Sequence, residues 1–186
     1  MFRLSALALT CAALLTVGAA HAQTEVRATL AGHASLPAST TVAAPADAGA
    51  LFTTAGKFAG SNRQRIEALG TIPGVTFVGD PKHPRLSGGS LPIQGQSVQG
   101  FSGIVSLGQG EFLALTDNGF GNKLNSQDAL LMVHKVRADW DSGQVSRLQT
   151  TFLRDPDRKV PFFIENENTA ERYLTGSDFD PESIQV

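Results

Sequence analysis

Beyond Arg65 no stretch of this chain carries a sustained apolar stripe at the helical period of 3.6 residues; short apolar runs end instead at turn residues. Val75 to Val78 precedes Gly79-Asp80-Pro81, and Phe101 to Leu107 precedes Gly108-Gln109-Gly110. Glu111 to Asp117 holds Phe112, Leu113, Ala114 and Leu115 in succession, the pattern of a strand covered on both faces. Leu130 to Arg137 and Val145 to Phe152, the latter with Leu148 and Phe152 on one face, flank Asp139-Trp140-Asp141-Ser142-Gly143 and read as a hairpin. Asn62 to Leu69 and Asn125 to Leu131 could each form a turn or two of helix. The pattern predicts an all-β chain of short antiparallel strands.

Such strands build sandwiches, barrels or propellers, and turns joined to acids at strand ends favour a β-propeller-like arrangement. A propeller needs about four blades of four strands or more. The strand count here, about seven or eight, makes the expected antiparallel sheets incomplete in this chain. Phe101-Ser-Gly-Ile and Phe179-Asp-Pro-Glu-Ser-Ile offer a loose internal match between two strand openings.

The first 22 residues read as an export signal. Arg3 supplies the positive start, Leu4 to Val17 the apolar stretch, and Ala20-His21-Ala22 the cleavage pattern. Cleavage near Ala22 predicts a secreted or periplasmic product, and removing 22 residues from 186 leaves 164. The apolar run is shorter than the roughly 20 residues of a membrane span, and no later stretch qualifies. The sole cysteine, Cys11, lies inside the signal, which leaves the remainder without disulfide or thiolate chemistry. Residues 23–60 form an Ala/Thr/Pro-rich segment, with Val26 to Leu30 and Leu51 to Thr53 as possible short strands; residues 61–186 form the main domain.

The remaining 14 basic and 17 acidic residues do not suggest a nucleic-acid partner. The acids are concentrated late: residues 155–186 hold eight acids against three bases. At alternate positions in an extended segment, Asp178, Asp180 and Glu182 would share one edge and could hold a hard cation or a water to be deprotonated. They could equally be a solvated loop face. The turn Thr116-Asp-Asn-Gly-Phe-Gly121 offers the Asp117 carboxylate and the Asn118 carbonyl at a strand terminus. The alternative is an ordinary turn whose side chains bond their own backbone. Arg154-Asp-Pro-Asp-Arg-Lys159 could grip a phosphate through Arg154, Arg158 and Lys159, or its charges could pair with one another. His83 and His134 stand outside any metal-ligand spacing, His134 as a packing residue in a strand, and Trp140 reads as the cap of an apolar edge. Ile104 stands where a nucleophile elbow begun at Gly100-Phe-Ser102 needs its second glycine, and neither a P-loop nor a dinucleotide fingerprint occurs.

Four stretches together carry a family resemblance: Gln94 to Ile104, Leu115 to Ser126, Leu153 to Pro161 and Tyr173 to Ile184. Over roughly residues 26–186 the chain resembles the N-terminal part of the secreted bacterial "esterase-like activity of phytase" family. The resemblance implies a β-propeller, export, and hydrolysis of phosphate or related esters, with a small-molecule ester as substrate. Members are typically longer than this chain. With this implication the residue readings become Asp117 and Glu182 as catalytic groups, Asp178, Asp180 and Asn118 as ligands of a Ca²⁺ ion, and Arg154, Arg158 and Lys159 as substrate-binding cations. Calcium is preferred because all these ligand atoms are oxygens. A non-catalytic secreted propeller that binds a ligand through its loops is the competing expectation, as is an inactive truncated product.

Overall fold

Strand β8, Glu111–Thr116, organises the fold because its uninterrupted apolar run has a partner strand on each side. The computed structural model describes residues 27–60, 63–76 and 85–186. Gly32–Val186 form one compact unit; of a separate unit, Met1–Ala31, residues 27–31 are described and carry no regular structure. The expected signal and Val26 lie outside the described residues, as do Phe77, Val78 and His83.

The short strands β1 (Thr41–Val42), β2 (Thr54–Ala55), β3 (Ile72–Thr76), β4 (Arg85–Leu91), β5 (Ile93–Gln94) and β6 (Gln96–Ser97) come first. They pair as three antiparallel two-stranded ladders, β1 with β6, β2 with β5 and β3 with β4. Next in the chain come β7 (Phe101–Gly108), β8, β9 (Met132–Asp139) and β10 (Gln144–Phe152), an antiparallel meander in the spatial order β10-β9-β8-β7. No α-helix occurs among the described residues, only 3-10 turns at Ala46–Ala48, Ala50–Thr53 and Lys123–Asn125. The fold is all-β, with one blade-like four-stranded sheet and smaller ladders, none closed on itself: an incomplete propeller-like arrangement.

Register follows from the turns. The Asp139 carboxylate accepts the N–H groups of Asp141 and Ser142, which closes the β9–β10 hairpin and sets Phe152 opposite Met132. Trp140 in that loop packs edge-on against Phe112, as a cap on an apolar edge should. Three local expectations are corrected. Leu51–Thr53 belongs to a 3-10 turn, not a strand, because Phe52 donates its N–H back to Gly49. Residues 63–67 are irregular, and Asn125 ends a 3-10 turn that does not propagate through Leu131. A bulge between Arg147 and Gln149 leaves Leu148 without a cross-strand partner, which breaks its alternation with Phe152. Residues 179–186 form no strand, so the loose match with the β7 opening has no structural counterpart.

The core joins the two halves of the chain. Ala48, Phe52, Leu130 and Tyr173 form one buried cluster, with Ala44, Leu51 and Phe152 packed on it. Polar groups stitch the same region. The buried Gln96 amide donates to the carbonyls of Phe52 and Asp128, and its oxygen accepts from Leu130 N. Lys57, 1% exposed, directs its ammonium to Leu51 O, Thr54 O and Thr54 Oγ1 at 2.6–2.7 Å and lies 3.4 Å from Asp128 Oδ2. Such a buried cation is tolerated only because every donor finds an acceptor.

Candidate functional site

Asp117 follows the last residue of β8, where the sheet hands the chain to the 116–121 turn. Its backbone N–H donates to Gly100 O at 2.7 Å, which anchors the turn to the residue ahead of β7. Asp117 Oδ1 accepts the Gly119 N–H at 2.7 Å, and Asn118 Oδ1 accepts the Gly121 N–H at 3.0 Å. Self-bonding of the turn is therefore present, as Asp and Asn at such positions commonly arrange. Gly100, at φ +63°, lies so close that a Cβ there would meet Asp117 Oδ1 at 2.2 Å.

The acidic segment docks onto this turn. Asp180 accepts from both the backbone N–H and the side-chain amide of Asn118, at 3.2 and 2.9 Å. Gly176 approaches from the same segment; a Cβ at that position would stand 1.9 Å from Asn118 O. Only a residue without a side chain permits that approach. The two motifs, 62 residues apart in sequence, are thereby one structural feature.

On its other side the segment meets the loop that follows the Arg/Lys cluster. Asp178, 8% exposed, lies in a turn. Its Oδ2 accepts from Thr175 N and Thr175 Oγ1, and its Oδ1 from Glu165 N, at 2.8–2.9 Å. The Phe162 and Phe179 rings pack 5.4 Å apart across the same junction. Burial pushes the Glu165 carboxyl up, and the charges of Asp178 and Asp128 push the same way, although its side chain is largely exposed.

The acids do not share one edge. Because Asp178 is held in a turn by Thr175 and Glu165, the extended geometry that would line it up with Asp180 and Glu182 is absent. Glu182 is exposed and makes no hydrogen bond or ion pair among the described residues. No group of three or more His, Cys, Asp or Glu converges to hold a metal ion among the described residues. The donor atoms of Asp178, Asp180 and Asn118 are already taken by N–H groups, so these residues do not form a ready calcium cage, and no step below passes through a metal.

Of the three cations, Arg158 pairs with Glu167 at 2.6 Å and Arg154 pairs with Glu171, both at largely exposed positions. The Lys159 ammonium makes no ion pair among the described residues. Beneath them lies a buried charged knot. Arg172, 2% exposed, reaches Asp155 Oδ2 at 3.2 Å and the Glu167 carboxylate. Burial acts to raise the Asp155 carboxyl, yet the N–H groups of Val160 and Lys159 and the Arg172 guanidinium together hold it below the ordinary value. An open groove of about 360 Å³ runs above the knot, lined by Arg158, Val160, Pro161, Phe162, Phe163 and Glu167. Phe163 is 75% exposed on its wall. Beside Asp117, a cavity of about 10 Å³ bordered by Gln99, Thr116 and Phe120 has room for one water.

His134 is fully buried in β9, with Nδ1 2.9 Å from Thr150 Oγ1 and Nε2 without a partner. Burial, and then the charge of Arg147, lower it to about 4. It serves packing rather than the site. Sequence reasoning missed Thr175, Gly176 and Glu165. The Thr175-x-x-Asp178 spacing was the available signal for a side-chain-capped turn.

Among the described residues no helix is long and apolar enough to cross a membrane. No curated protein and no solved structure matches the chain. Residues 96–186 match the model of the family described as "Phytase-like: Esterase-like activity of phytase". That span, about half of the chain, holds the 116–121 turn, the Arg/Lys cluster and the acidic segment docked on the turn, and over it the chain is similar to the phytase-like family.

Proposed function

We propose that this protein is an exported hydrolase of phosphate or related esters. The observation that carries the reading is the family match over residues 96–186, within which Asp180 joins the acidic segment to the Asp117 turn. In this reading Asp117 takes a proton from a water held beside it, since the residue borders a cavity of single-water size. Lys159, without an acid partner among the described residues, attracts the anionic ester, and Arg158 and Arg154 assist once the ester competes with Glu167 and Glu171. Asp178, Asp180 and Asn118 hold the site in shape. Glu182, exposed and without a hydrogen bond or ion pair among the described residues, is the second acid available for proton transfer. Export rests on the signal pattern ending at Ala22.

The test is hydrolysis of a chromogenic phosphate ester by the full chain, with added calcium and with excess chelator, alongside Asp117→Ala, Glu182→Ala and Lys159→Ala. The expected result is turnover that falls about 100-fold or more in Asp117→Ala, the scale of a general base, with Lys159→Ala raising KM. Absence of turnover by the folded full chain, or full activity in both acid variants, rules the assignment out. A chelator-sensitive rate would bring calcium back as a participant. N-terminal sequencing of exported material tests cleavage before Gln23.

A further inference from the structure

Asn118-Gly119 is the only Asn-Gly pair in the sequence. In such a pair the nitrogen of the following residue, unhindered because glycine has no side chain, can attack the asparagine side-chain carbonyl. The glycine N–H loses its proton to water or hydroxide as the new N–C bond to Cγ forms. The bond from Cγ to the amide nitrogen breaks and ammonia leaves. The cyclic imide then adds one water at either carbonyl and opens to aspartate or isoaspartate. Every step requires that the glycine nitrogen be free to attack and that the asparagine amide be free to rotate.

Both freedoms are blocked here. Gly119 N–H is committed to Asp117 Oδ1 at 2.7 Å, and a neighbouring carboxylate opposes loss of that proton. Asn118 Nδ2 is held by Asp180 Oδ2 at 2.9 Å and Asn118 Oδ1 by Gly121 N–H at 3.0 Å, so both ends of the amide are fixed. The residue is 7% exposed, which limits the water needed for each step. We propose that Asn118-Gly119 is a latent deamidation site kept silent by Asp180 and Asp117. The proposal is independent of the hydrolase reading, since it rests on the amide chemistry and its hydrogen bonds alone. Conversion would remove the Nδ2 donor and set a new carboxylate against Asp180, which turns the docking contact into a repulsion.

The experiment follows conversion at Asn118 by peptide mass spectrometry during incubation at mildly alkaline pH. The full chain is compared when folded and in concentrated urea, and folded Asp180→Asn is compared with the folded parent. Asn125, followed by Ser126 and bonded through Nδ2 to Phe120 O, is the internal reference, because general unfolding accelerates both positions and local release accelerates one. A hydrogen bond to a charged group is worth roughly a decade of rate or more. The expected result is conversion at Asn118 about 100-fold slower in the folded chain than in urea, and about tenfold faster in Asp180→Asn with Asn125 unchanged. Equal rates in the folded chain and urea, an Asn118 rate unchanged by Asp180→Asn, or a rise shared equally by Asn125 overturns the proposal.

Discussion

Replacing Lys57 by Met should unfold more of the protein's stability margin than any single surface change. The ammonium of Lys57 is fully occupied by Leu51 O, Thr54 O and Thr54 Oγ1 and stands 3.4 Å from Asp128 Oδ2, while its backbone N–H donates to the same oxygen at 2.8 Å. Methionine fills the space without the donors. The carboxylate of Asp128, 0% exposed and with Oδ1 already unpartnered, would lose its counter-charge and keep backbone N–H partners alone, and two part-buried carbonyls would lose their partner. Removing one member of a buried ion pair costs about 3–5 kcal/mol. Against a total stability of about 5–15 kcal/mol, that is a large fraction. With an m value of about 2 kcal/mol/M in urea, the midpoint should fall by about 2 M. Asp128→Leu alone should also destabilise, because it leaves the cation without its counter-charge. The double variant should recover about 2 kcal/mol relative to the sum of the two singles, since no uncompensated charge then remains. Urea titrations of the four proteins at constant pH decide it. A midpoint shift below about 0.5 M for Lys57→Met, or strict additivity in the double variant, refutes the argument that these charges are held by one another.

His134 should make the protein weaker in mild acid. Its folded value of about 4 lies below the ordinary 6.5, so the unfolded chain takes up a proton first as the pH falls. Stability is lost between pH 6.5 and about 4, and that gap at 1.36 kcal/mol per pH unit amounts to roughly 3 kcal/mol. His134→Gln should flatten the loss in urea titrations across that range, and an unchanged slope contradicts it. Asp128 acts with the opposite sign: burial raises its carboxyl, so its unfavourable contribution fades as the pH falls past the raised value, and Asp128→Asn should remove that component at the acid end. Gly176→Ala should cost about 1–3 kcal/mol or more, because its methyl would overlap Asn118 O, with slowed hydrolysis if the docked turn forms the site; a thermal midpoint equal to the parent's refutes the close approach. Gly100→Ala adds strain at φ +63° to its collision with Asp117 Oδ1, and should lower the midpoint by at least as much.

The strands of the blade-like sheet were legible because their apolar runs are long enough to stand out from the turns around them. β7 and β8 fall where the runs Phe101 to Leu107 and Glu111 to Asp117 indicate, and β9 and β10 flank the Asp139 loop as read. The two-residue ladders were not legible, since a strand such as Gln96–Ser97 is defined by its partner Thr41–Val42 rather than by any periodicity of its own. Leu148 shows the same limit, because a bulge shifts alternation without leaving a mark in composition. At the site, sequence identified the acids and the turn, but alternation presumed an extended backbone at Asp178, whereas Thr175 supplies two donors that fold it into a turn. Lys57 and Gln96 could not be found from sequence, because nothing in a lone lysine or glutamine announces that distant carbonyls will surround it.

Arg158 and Arg172 both adopt left-handed backbone, at φ 54° and 48°, where a residue with a Cβ sits at some cost. Glu167 touches both guanidinium groups, and the bond from Arg172 holds its carboxyl below the ordinary value. One carboxylate therefore ties together two residues in left-handed backbone, alongside the Asp155 contact that also holds Arg172. The stretch between the two arginines should open as a single cooperative unit, with its amides exchanging together and its protease sensitivity appearing all at once. One of the eight acids counted in residues 155–186 thereby joins the two ends of the loop.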